Sequence, residues 1–117
     1  MSTDNFNIKS LPLRFQQKLQ SDICYILSKN IPGLLQICLF GSVARGTYKW
    51  NSDLDIAIVT QMPLTDHYLR GDIIDTLEES VDGVSTDVVF RTFEHNHSLS
   101  RTFDVLFERD KVILWQK

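Results

Sequence analysis

A basic surplus is missing from this chain: Lys and Arg number 12 against 15 Asp and Glu, a net charge of −3, and no Lys/Arg stripe runs through it. Grip on duplex DNA or RNA through phosphates needs such a stripe, so direct nucleic-acid binding is not expected. Cysteine is scarce as well. The two present, Cys24 and Cys38, lie inside apolar stretches and read as reduced, buried small hydrophobes rather than a disulfide framework. No apolar run approaches the roughly 18 residues of a membrane span. The opening MSTDNFNIKSLPLRF has neither a continuous apolar core nor a cleavage-like site, so a cytoplasmic protein is expected. Low-complexity tracts, internal repeats and linkers are absent too. With 117 residues, 43% of them hydrophobic and 23% charged, residues 1–117 read as a single globular domain.

What is present alternates between two periods. From about Leu11 to Lys29 the positions Phe15, Leu19, Ile23 and Ile26 make the stripe of an amphipathic helix, which Pro32-Gly33 stops. LLQICLF, Leu34 to Phe40, is short and almost wholly apolar, which suits a buried strand. LDIAIVT, Leu54 to Thr60, is a second such run, rich in branched residues. Leu69, Ile73 and Leu77 mark a helix over about Thr65 to Ser80, ended by Asp82-Gly83. VSTDVVF, Val84 to Phe90, reads as a third strand. Leu99, Phe103, Leu106 and Phe107 suggest a helix with core residues, up to about Glu108. KVILW, Lys111 to Trp115, reads as a closing strand. Strands alternating with helices predict an α/β (α+β) fold, a sheet covered by helices.

The chemistry is concentrated between the first two strands. Gly41 ends the first apolar run, where a residue without Cβ permits a sharp turn. Ser42 beside it suits a helix N-cap, and the free N–H groups of a helix start can seat phosphate. Ten residues further on stand Asp53 and Asp55. On a strand, residues two apart face the same way, so the two carboxylates would lie side by side. Such a pair repels unless a cation sits between, and magnesium suits hard oxygen ligands. Taken singly, Gly-Ser is a common turn and Asp-x-Asp a common strand start; jointly, at this spacing and between two strands, they are far more specific.

A strand, Gly41-Ser42, ten residues and Asp53-x-Asp55 opening another strand resembles the signature of the polymerase-β-like nucleotidyltransferases. The fuller form, G-S-x-A-R-G followed by S-D-x-D, also matches through Ala44, Arg45, Gly46 and Ser52. The resemblance extends over essentially the whole chain to the minimal nucleotidyltransferase (MNT) domain. It implies a mixed four-stranded sheet flanked by helices and places a third carboxylate at Asp87. It also implies two magnesium ions held by Asp53, Asp55 and Asp87, and ATP as substrate. Asp87 would take the proton of the acceptor hydroxyl. Gly41 and Ser42 would hold the triphosphate, and Arg45 or Lys49 would neutralise pyrophosphate unless they are solvated surface charges. Only about 60 residues follow Asp55, so an acceptor supplied by another protein is expected. Proteins of this kind are similar to antitoxins that transfer AMP to a tyrosine of helical HEPN toxins, and a homo-oligomer stays open. Two rivals stand beside this: a non-catalytic module that neutralises its partner by covering it, and half of an antibiotic nucleotidyltransferase. The remaining polar and aromatic candidates read more plainly: His67, His95 and His97 as surface histidines, Tyr48 and Trp50 as packing across the junction.

Overall fold

The two mostly apolar runs become the centre of the molecule. The computed structural model describes residues 7–92 and 101–117, with backbone alone for residues 101–104. In it β1 (Leu34–Phe40) and β2 (Leu54–Thr60) pair antiparallel, Phe40 opposite Asp55. Between them lies the short helix α2 (Gly41–Arg45), closed by Gly46 with φ 80, a left-handed conformation that favours glycine. β3 (Thr86–Thr92) joins β2 in parallel, and β4 (Val112–Gln116) joins β1 antiparallel. The sheet order is therefore β3-β2-β1-β4, the mixed four-stranded sheet expected. The parallel pair requires a crossover, which α3 (His67–Glu78) supplies, capped by the Asp66 carboxylate accepting from the Leu69 N–H.

Each strand shows one side to each face, and the two faces are covered unequally. On one, Ile37, Leu39, Leu54, Ile56 and Ile58 pack beneath α1 (Leu13–Ser28) and α3 through Phe15, Leu19, Ile26, Ile73 and Leu77, all with their side chains fully enclosed. On the other, Cys38, Ala57 and Val59 meet Phe107 of α4 (Arg101–Asp110), whose ring lies 5.5 Å from that of Phe40.

Several local readings are corrected. β3 starts at Thr86 rather than Val84, because Val84 instead bridges back to Val81 around the left-handed Asp82-Gly83 corner. The α1 stripe admits Lys18 and Asp22 as buried residues, and Ile23 is only partly covered. Cys38 is buried but Cys24 is exposed, and both are free thiols. Leu106 is 41% exposed rather than part of the core. Leu99 lies outside the described residues, as does the side chain of Phe103. Among the described residues no helix is long and apolar enough to cross a membrane.

Candidate active site

Asp55 is the second residue of β2. Its neighbours Leu54 and Ile56 point into the large core, so alternation turns Asp55 to the opposite, half-covered face. The parallel register puts Asp87 abreast of it, one residue into β3. The two carboxylates thus share a face at one end of the sheet, Asp55 half-buried and Asp87 exposed. Asp53 stands just before the strand, also exposed. A turn delivers it: the Lys49 N–H donates to Ser52 Oγ at 2.7 Å, and the Ser52 N–H donates to the Lys49 carbonyl at 3.0 Å.

Electrostatics report the crowding. Burial first, then the negative charges of Asp87 and Asp53, push the Asp55 carboxyl up to about 6, while Arg45 pulls it down. Gly41 sets the boundary of the site. Its φ is 78, and a methyl group built on its Cα would overlap the Asp55 carboxylate. Glycine is therefore required twice there, for the backbone and for the space. Among the described residues no group of three or more His, Cys, Asp or Glu is arranged to hold a metal ion; Asp55 and Asp87 form the pair, and Asp53 bears on it through charge.

Three residues are placed differently from their sequence reading. Ser42 is not the N-cap of α2: the turn out of β1 comes a residue earlier, so the helix opens at Gly41 and Phe40 occupies the capping position. Arg45 is neither free in solvent nor turned wholly to the site. Its guanidinium pairs with the buried Asp110 at 3.4 Å, and Asp110 also accepts from Arg109 at 2.9 Å. Tyr48 packs on Phe15 with ring centroids 5.4 Å apart, as expected. Trp50 does not: it is 80% exposed, its carbonyl accepting from Arg14. His67 is exposed at the start of α3, and His95 and His97 lie outside the described residues. A cavity of about 420 Å³ lined by Val59, Arg91, Phe107 and Lys111 lies toward the other end of the strands from the carboxylates.

One polar cluster escaped the sequence reading, the buried Lys18, Asp22 and Thr86. The available signal was a pair of opposite charges four apart, set inside the apolar stripe of α1.

The sequence profile of the nucleotidyltransferase domain matches residues 21–112. The chain belongs to that family. It is 39% identical over 67 residues to the protein adenylyltransferase MntA of Shewanella oneidensis, a match covering 57% of this chain and 48% of that protein, about half its length. Among solved structures it is similar to a chain of a toxin–antitoxin crystallised with AMP-PNP, at TM-score 0.58 and 31% identity, covering 83% of this chain and 73% of that one. It also resembles a chain in the complex of the tri-AMPylated Shewanella oneidensis HEPN toxin with its MNT antitoxin, at TM-score 0.54 and 25% identity, covering 86% and 73%. In this member of the family, Gly41, Asp55 and Asp87 fall together at one end of the sheet.

Proposed function

We propose that this nucleotidyltransferase is a protein adenylyltransferase that moves AMP from ATP to a hydroxyl, a tyrosine in the first instance, of a HEPN toxin, and so serves as its antitoxin in the cytoplasm. The observation that carries the reading is the in-register pairing of Asp55 with Asp87 against the Cβ-free corner of Gly41. Family membership and the likeness to MntA support it.

The donor set fits a hard dication. All three groups are carboxylates; burial first, then the charges of Asp87 and Asp53, raise Asp55, and a divalent cation between them relieves the repulsive part. Asp55 and Asp87, the pair the register brings together, would hold magnesium, and Asp53 would join them by a shift of the turn that carries it. Phosphate oxygens of the nucleotide would complete the metal's ligands. When bound, the metal offsets charge growing on the α-phosphoryl oxygens and on the leaving pyrophosphate. Asp87, exposed at its strand, accepts the proton of an incoming hydroxyl. The bond from that oxygen to the α-phosphorus forms as the bridge to the β-phosphate breaks, and pyrophosphate departs. The Ser42 hydroxyl and the N–H groups beside it hold the β- and γ-phosphates. Arg45, released from Asp110, neutralises the departing charge.

The test is incorporation of labelled AMP from ATP into the partner that co-purifies with the chain. Asp53→Asn and Asp55→Asn each abolish labelling while the protein still unfolds cooperatively. Labelling that persists in either variant removes the assignment. If a variant lacking all three aspartates still neutralises the partner, covering rather than transfer is the antitoxin mechanism.

A further inference from the structure

The cluster that sequence reading missed is a closed ring. The Lys18 ammonium donates to Asp22 Oδ1 at 2.7 Å, to the Leu77 carbonyl at 2.8 Å and to Thr86 Oγ1 at 3.0 Å. The Thr86 hydroxyl in turn donates to Asp22 Oδ2. All three donors of the ammonium are used, and Lys18, Asp22 and Thr86 are 3%, 4% and 1% exposed. Such a pair gives little net stability, because desolvation offsets the attraction, and apolar residues of the same volume often do as well or better. Its position suggests another use. Leu77 is in the last turn of α3 and Thr86 is the first residue of β3, so the ring ties together both ends of the connection between them. That connection holds the Val81–Val84 bridge and the left-handed Asp82-Gly83 corner. At its exit the Ser85 carbonyl accepts from the Leu54 N–H at 2.9 Å, Thr86 stands abreast of Leu54, and Asp87 abreast of Asp55.

We propose that Lys18, Asp22 and Thr86 are positioning residues that clamp the entry of β3 and thereby hold Asp87 opposite Asp55. The inference rests on the reading of Asp87 as a reacting group, and it assigns these residues no contact with substrate. A clamp of this kind governs the chemical step rather than nucleotide capture, because the phosphate-holding corner at Gly41 and Ser42 belongs to a different element.

Three variants of the full chain, purified with its partner, decide it with α-labelled ATP. Thr86→Val removes the hydroxyl at nearly constant volume; kcat for AMP transfer is expected to fall at least tenfold with KM for ATP within threefold of wild type. Thr86→Ser restores the hydroxyl and brings kcat back to within threefold. The double change Lys18→Met with Asp22→Leu replaces the charges with apolar volume, and it loses kcat to the same extent while unfolding cooperatively. Wild-type kcat in a folded Thr86→Val or double variant overturns the proposal, as does an equal loss in Thr86→Ser; if Thr86→Val does not fold, the double variant decides. If the wild-type chain itself transfers no AMP, the catalytic reading fails separately. Amide exchange then decides the clamp: Thr86→Val must speed exchange at Asp87 and Val89, the β3 amides that the parallel register turns toward β2, at least tenfold relative to Ile58, and unchanged exchange overturns it.

Discussion

Gly41 is where one atom's worth of space decides the chemistry. Adding a methyl group there forces the Asp55 carboxylate aside, and the left-handed backbone costs a non-glycine residue about 1–2 kcal/mol. Gly41→Ala is therefore expected to lower AMP transfer at least a hundredfold while the chain still folds, its thermal midpoint reduced by several degrees. Asp55 carries a pH dependence whose sign follows from its raised pKa. The folded value of about 6 exceeds the ordinary 3.8, so the stabilising contribution of its proton is complete below 3.8 and is lost as pH rises through about 6. Above that pH the charged carboxylate is a net cost to the metal-free fold. Asp55→Asn should then raise stability at pH 7.5 by about 1 kcal/mol after solvent screening at this half-buried group, in urea titrations with chelator present. For the same reason, binding of Mn²⁺ as a magnesium probe weakens as pH falls through about 6. A flat binding profile between pH 5 and 8, values chosen about one unit or more either side of that titration, would contradict the assignment of Asp55.

Among the elements, α4 closes the second face of the sheet. Its buried described side chains are Phe107, set against Cys38, Ala57 and Val59, and Asp110, paired with Arg45 and Arg109. Phe107→Ala should cost about 3 kcal/mol in urea titrations. The strands show how far sequence carries. β1 and β2 were legible to the residue because each is a short, mostly apolar run bounded by turn residues, Gly41 after β1 and Met62-Pro63 beyond β2. β3 was read two residues early because Val84 has the composition of a strand residue, but its bridge to Val81 uses it in a turn. α1 was legible as a helix, yet its buried face was misdrawn. Periodicity scores charge as exposure, and nothing local announces that Lys18 and Asp22 satisfy each other with Thr86, which lies 64 residues beyond Asp22 in the chain. At the site, the placement of Asp87 beside Asp55 came from resemblance, whereas the tie of Arg45 to Asp110 is a tertiary contact across 65 residues that no spacing rule reaches.

At the scale of the whole molecule, the sheet separates support from chemistry. α1 and α3 bury the middle of one face, and the carboxylates stand at one end of the other. Ligand at that end binds the folded chain alone, so ATP analogue with magnesium should raise stability by about 2.7 kcal/mol at a hundred times its dissociation constant. A thermal-shift series with AMP-PNP reads this; chelation reverses the gain, and Asp55→Asn lacks it. The paired register of β2 and β3 has a further consequence. Strand side chains alternate sides with strict parity, so a one-residue slip would not misplace the third carboxylate slightly. It would bring Thr86 or Val88 abreast of Asp55 and send Asp87 out of step with its partner. Pairing along this border of the sheet is all-or-none, and a fault in it silences the protein instead of slowing it.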